Sequence, residues 1–115
     1  MANTANTLFD KIWDFHRVGQ RADGRDLLYI DRHVLHELHA HHAFAQLRKQ
    51  GRGVPRSDLT FAVQDHTVAT KPGRNDETYP GGTPFIRAMR EGCREFGIRL
   101  FDIDDPEQGI GFEGR

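Results

Sequence analysis

Two short polar groups in this chain set a carboxylate near an imidazole, and each closely follows an apolar run. They are Asp31-Arg32-His33 after residues 27–30 and Asp65-His66 after residues 59–63. A carboxylate next to a histidine fixes the ring's tautomer and raises its proton affinity. That suits a group which must hand a proton to a departing oxygen near neutral pH. If the apolar runs are strands of an open parallel sheet, both groups fall outside carboxyl ends of strands, where ligands collect. An Asp-His dipeptide alone also reads as an ordinary strand-end turn, because adjacent strand residues point to opposite faces.

Five of the seven histidines fall between His33 and His42. His33 and His36 are three residues apart, as are His39 and His42, so each pair could share a helical face. A zinc site needs at least three protein ligands with supporting partners, and no H-E-x-x-H pattern is present. The group therefore reads as a polar helix face, and no metal ligand is assigned. Cys93 is the only cysteine. It excludes an internal disulfide and any iron–sulfur cluster held wholly by this chain, since clusters take several thiolates. Its place on an apolar helical stripe marks it as a core residue. The Pro80-Gly81-Gly82 run lacks the spaced pattern and lysine of a phosphate loop and reads as a flexible connection.

The elements that must position these groups follow from periodicity. Thr7 caps a helix with apolar positions Leu8, Phe9, Ile12 and Trp13, broken by the stretch from Gly19 to Gly24. Residues 27–30 form a short buried strand ending at Asp31. Residues 33–42 run as a loop into a helix with Ala43, Phe44 and Leu47 facing inward, stopped at Gly51. Residues 59–63 form a second strand, and a loop runs from Thr67 to Thr83. There Thr83 caps a helix with Pro84 at its first position; Phe85, Met89, Cys93 and Phe96 share one face, and Gly97 ends it. Residues 99–103 form a third strand. The alternation predicts an α/β fold of βαβ units, three-layered, around a short parallel sheet.

The chain has 115 residues, one domain's worth. Its 16 basic and 17 acidic residues give no basic face for nucleic acid or anionic membrane. No secretory leader and no run long enough to span a bilayer is visible, which makes the cytoplasm the expected compartment.

The segment from Leu27 to Glu37, with its Ile30-Asp31-Arg32-His33-Val34-Leu35-His36-Glu37 core, resembles the opening strand of isopropylmalate dehydratase large subunits, in the aconitase superfamily. The helix with Ala43-Phe44 and Leu47-Arg48 is similar to theirs. Phe61-Ala62-Val63-Gln64-Asp65-His66-Thr67-Val68-Ala69-Thr70 matches the family's "DH" strand and loop. Cys93-Arg94-Glu95-Phe96-Gly97 and Pro106-Glu107-Gln108-Gly109-Ile110 match its "C-x-E-F-G" helix end and "P-x-Q-G-I" turn. The likeness covers residues 7–110 in order.

The resemblance implies the first part of an aconitase-like domain, in a hydro-lyase that removes water from a small hydroxy acid and re-adds it one carbon along. It implies His66 as proton donor and Asp65 as its orienting partner. It implies a substrate-lining role for the segment holding Asp31 and His33, with Ile30 where aconitase has a substrate-contacting glutamine. It also implies a 4Fe-4S cluster in the complete enzyme, bound by three cysteines beyond this chain. An Asp-Ser-His motif beyond Arg115, the remainder of a large subunit and a small subunit or swivelling domain carrying a serine base are implied as well. Phe112 stands where a family histidine is expected, so the end at Arg115 reads as a truncation, a frame change or an engineered boundary. The chain alone is expected to be inactive. Two other readings remain: an inert isolated domain acting at most as an interaction piece, and a small histidine-based metal protein. Phe61 and Phe101 are expected on a face the rest of the enzyme covers, which makes the isolated piece prone to self-association.

Overall fold

The computed structural model describes residues 5–109. Ile110 and Phe112, which entered the family resemblance, lie outside the described residues. The chain divides into two compact units, one up to Asp31 and one from Arg32 onward.

In the first unit, α1 (Leu8–His16) opens with the expected cap. The Thr7 hydroxyl accepts from the Asp10 amide at 3.1 Å, and the Asp10 carboxylate accepts from the Thr7 amide at 2.9 Å. This reciprocal box satisfies two amides that the first turn leaves without helical partners. The helix buries none of its residues, and Leu8 and Phe9 are 73% and 67% exposed. After it, β1 (Arg17–Gln20) and β2 (Asp26–Leu28) pair antiparallel around a turn in which Gly24 takes φ 85°. Trp13 Nε1 donates to Asp26 Oδ2 at 2.9 Å, tying helix to hairpin.

The strand expected over residues 27–30 is therefore not a buried member of the parallel sheet. It is one arm of a hairpin, and Leu27, Tyr29 and Ile30 are exposed. A four-residue apolar run does not reveal its partner, and Arg17-Val18-Gly19-Gln20 has too little apolar alternation to announce one.

The second unit holds a three-stranded parallel sheet, ordered β3-β4-β5, of β3 (His33–His36), β4 (Thr60–Val63) and β5 (Arg99–Phe101). Its first strand is the segment read from sequence as a loop. Leu35 supplies the strand's contact with the helical core, and the flanking histidines masked it. The crossovers carry α2 (Glu37–Lys49) and α3 (Thr83–Phe96), which pack against each other. Successive right-handed crossovers in sequential strand order put both helices on one face. The expected α/β class with a short parallel sheet is what the chain adopts.

Ala40 and Phe44 of α2, Ala62 of β4, and Met89 and Cys93 of α3 form the core under those helices, with Ile98. Alternation sends Leu35, Ala62 and Leu100 toward the helices and Val34, Phe61 and Phe101 to the other face. The aromatic pair expected to be bare divides. Phe61 is half-buried, whereas Phe101 is only 7% exposed, with the Arg99 guanidinium 4.3 Å from its ring centroid.

Both helices differ in detail from the periodicity reading. In α2 the buried positions are Glu37, Ala40 and Phe44, spaced three and four apart, while Ala43 is exposed. In α3, Gly82 occupies the cap position and Thr83 is already helical. The Thr83 hydroxyl donates to the Asp76 carbonyl at 2.7 Å and is not a cap. Ile86, rather than Phe85, leads the buried stripe. The helix ends as expected at Gly97, left-handed at φ 70°, with its amide on the Cys93 carbonyl. No helix among the described residues is long and apolar enough to cross a membrane.

The contact between α2 and α3 closes over Gly92, where a Cβ would fall inside the van der Waals envelope of the buried Phe44 ring. Alanine elsewhere in a helix adds up to about 1 kcal/mol of stability over glycine. Here overpacking, at about 1–3 kcal/mol, opposes and exceeds that gain. Gly92→Ala is expected to lower the urea midpoint with the m-value unchanged; a midpoint that rises would refute the packing assignment.

Candidate functional site

The site is built at the carboxyl end of β4. Gln64 leaves the strand fully buried, its amide donating to the Phe101 carbonyl at 3.3 Å and its side-chain Nε2 to the Ile86 carbonyl at 3.1 Å. Its own carbonyl accepts from Gln108 Nε2 at 2.6 Å. This fixes where the next three residues begin.

Asp65, His66 and Thr67 then wrap a buried carboxylate. Glu37, the first residue of α2 and 0% exposed, accepts from the Asp65 amide at Oε2 (2.8 Å). At Oε1 it accepts from the Thr67 amide and from the Thr67 hydroxyl, the latter at 3.0 Å. Burial alone pushes this carboxyl's pKa up. The amides of Asp65 and Thr67 outweigh that and hold it below the usual glutamate value.

His66 sits between the two anchored residues and projects outward, its side chain 44% exposed. Asp65 Oδ2 lies 3.6 Å from His66 Nδ1, beyond hydrogen-bond length and within reach of a charge contact. The other Asp65 oxygen, Oδ1, is buried with no hydrogen-bond partner among the described residues.

The parallel register pairs His36 with Val63, so His36 arrives at this same end of the sheet. Its ring lies 4.0 Å from that of His66, centroid to centroid, tilted by 36°. His36 Nδ1 is buried and has no partner among the described residues. The ligating atoms of His36, Glu37 and His66 all lie within 4.8 Å of one another.

Asp65 and His66 are thus brought together as the sequence implied, while Asp31 and His33 stand elsewhere. His33 opens β3 opposite Thr60, at the sheet's amino end. That is three strand residues, roughly 10 Å, from His36. Asp31 closes the first unit, where His16 Nε2 lies 3.3 Å from its Oδ2. His16 also donates from Nδ1 to the Ile12 carbonyl at 2.7 Å, and that bond first, then Asp31, raises its pKa. The His39–His42 spacing brings no pair together: His42 lies against His41 at 3.9 Å and His39 is 5.7 Å from His36.

Sequence reading missed His36 and Glu37. The only signal was the His-Glu pair opening a helix, and it becomes legible once residues 33–36 are known to be a strand.

Just past the turn, Val68, Thr70, Arg74 and Gln108 line a cavity of about 230 Å³. Arg74 Nη2 donates to Gln108 Oε1 at 2.7 Å, and Arg74 Nε is buried without a partner among the described residues. Cys93 lies far from such chemistry. It is 4% exposed, its Sγ donates to Met89 Sδ at 3.6 Å, and burial, helped by Asp102, pushes its thiol up to about 12.

Glu37 carries a pH dependence with a definite sign. A carboxyl whose pKa is depressed on folding stabilises the fold above its ordinary value of 4.5, and loses that contribution as pH falls through the lower folded value. Glu37→Gln, which removes the charge and turns an NH₂ toward amide donors, is expected to cost about 2–4 kcal/mol at pH 7. Thermal melts should show the difference between wild type and variant shrinking below pH 4; a gap that stays constant with pH would refute an ionised anchor.

A family model described as the aconitase family (aconitate hydratase) matches residues 10–112. Over 110 residues the chain is 42% identical to the 3-isopropylmalate dehydratase large subunit of Gloeobacter violaceus, an alignment covering 96% of this chain. The chain spans 23% of the length of that relative. No solved structure matches it. The strand-end turn presenting Asp65 and His66 lies within the matched residues, and on the extent of that match the chain belongs to the aconitase family.

Proposed function

We propose that this chain is the opening portion of a hydro-lyase large subunit acting on a small hydroxy di- or tricarboxylic acid of the isopropylmalate kind, as in leucine biosynthesis. The observation carrying the reading is the Glu37-anchored turn, which holds Asp65 and His66 side by side at a strand's carboxyl end. In this reading His66 donates the proton to the departing hydroxyl. Asp65 positions the ring, and His36 stacks beside it. Asp31 and His33 keep their proposed substrate-binding roles. The unpartnered Nε of Arg74 over its cavity suits a substrate carboxylate. The remainder of the large subunit and a small subunit supply the other groups, and the setting is cytoplasmic.

Family members generally carry a 4Fe-4S cluster, and the residues present here do not fit one. A cluster takes several exposed thiolates. The single thiol of this chain is buried, hydrogen-bonded to Met89 and held protonated. No step is therefore routed through a cluster on this chain. The same fact favours a second reading for the chain by itself: it keeps the fold and serves as an interaction piece. The exposed apolar stripe of α1 and the half-buried Phe61 support that, since both faces lack cover.

Two measurements separate these readings. Residues 7–109 can replace the matching segment of the Gloeobacter violaceus large subunit, co-expressed with its small subunit, and hydration of the unsaturated diacid followed by absorbance. Turnover is expected, and His66→Gln should lower kcat about 10²–10⁴-fold with KM little changed; an unchanged kcat would rule out the donor role. The 115-residue chain alone is expected to show no turnover, and measurable dehydration by it would overturn the view that it supplies only part of the site.

A further inference from the structure

We propose that His36, Glu37 and His66 form a binding site for a divalent transition-metal ion, zinc being the best match. Three features point to it independently. Their ligating atoms already lie within 4.8 Å of one another, on a strand end, a helix start and a turn that hold them together from distant parts of the sequence. The buried Nδ1 of His36 has no hydrogen-bond partner among the described residues. A buried imidazole nitrogen left so costs free energy that a metal bond would recover. Glu37 is held by Asp65 and Thr67, and its Oε2 accepts from the Asp65 amide at 2.8 Å, a bond that uses one of that oxygen's two lone pairs and leaves the other for an ion.

The donor set decides which ion. Two imidazole nitrogens and one carboxylate oxygen suit zinc and its neighbours, whereas calcium and magnesium prefer all-oxygen shells. Bonds of roughly 2.0–2.2 Å in a tetrahedron require ligand atoms about 3.3 Å apart, so the group must tighten slightly. The exposed His66 ring can rotate to do so. Asp65, 3.6 Å from His66 Nδ1, stands where a carboxylate orients a metal-bound histidine through its other nitrogen. With three protein ligands, the fourth position is left to water.

Binding rests on this geometry alone. Its consequence rests on the proposed function: an ion bound to His66 takes the lone pair that proton transfer needs, so zinc occupancy and dehydration exclude each other.

The test uses the 115-residue chain and no activity assay. Calorimetric titration with zinc is expected to show one site per chain, and cobalt should give the visible absorption of a four- or five-coordinate ion. His66→Gln, at an exposed position that leaves the fold intact by circular dichroism, should weaken zinc at least tenfold, as should His36→Gln. Asp65→Asn should cost about 10–100-fold. The double change His39→Gln with His42→Gln should leave affinity unchanged. No saturable binding, or binding that survives His66→Gln and disappears with the His39 and His42 changes, overturns the site.

Discussion

Everything at the strand end depends on one buried carboxylate. Glu37 receives two backbone amides and a hydroxyl from residues 28 and 30 positions away. A turn leaving a parallel strand has amides with no ladder partner, and burying them unpaired would be costly. An ionised carboxylate meets that demand better than a neutral acceptor, since charge-assisted bonds are roughly twice as strong. The desolvation that would neutralise it is offset by the same amides. Anchor and turn are therefore mutually dependent: the amides keep Glu37 charged, and the charge keeps the turn closed with His66 pointing out.

This interdependence explains why the fold was more legible in the sequence than the site. Helix caps and helix ends are local, so the Thr7 cap and the stop at Gly97 could be read from spacing. Strand β4 was legible for the same reason, and with it the location of Asp65 and His66. The identity of the first parallel strand was not local. Residues 27–30 and 33–36 could each supply that strand, and only pairing with β4 decides between them. Preferring the more apolar run displaced the whole reading by one element. His33 and Asp31 were then credited with a strand's carboxyl end that belongs to His36. Thr83 failed for a related reason, because its hydroxyl is taken by a carbonyl seven residues back that no helix-start pattern contains.

The two faces of the sheet carry different information. On the helical face Phe44 closes on Gly92, and Met89 and Cys93 pack between helix and strand. The opposite face buries Val63 fully, leaves Phe61 half-buried and sets the Arg99 guanidinium over the Phe101 ring. A cation over an aromatic ring is a cover that tolerates water, unlike a packed apolar layer. A unit built this way has enough core to hold its strand ends in register.

Register also settles what the histidine-rich segment can do. A strand of four residues with histidine at both ends sends one imidazole to each edge of the sheet, and the edges differ chemically. At the amino edge His33 pairs opposite Thr60 and is exposed. At the carboxyl edge His36 meets His66, Glu37 and the Asp65 turn within a few ångströms. The two imidazoles lie 4.0 Å apart beside a carboxylate, so a single cation seated there would meet all three groups at once. Under the proposed readings, proton transfer by His66 and metal binding compete for this one arrangement, because both need the same ring beside His36.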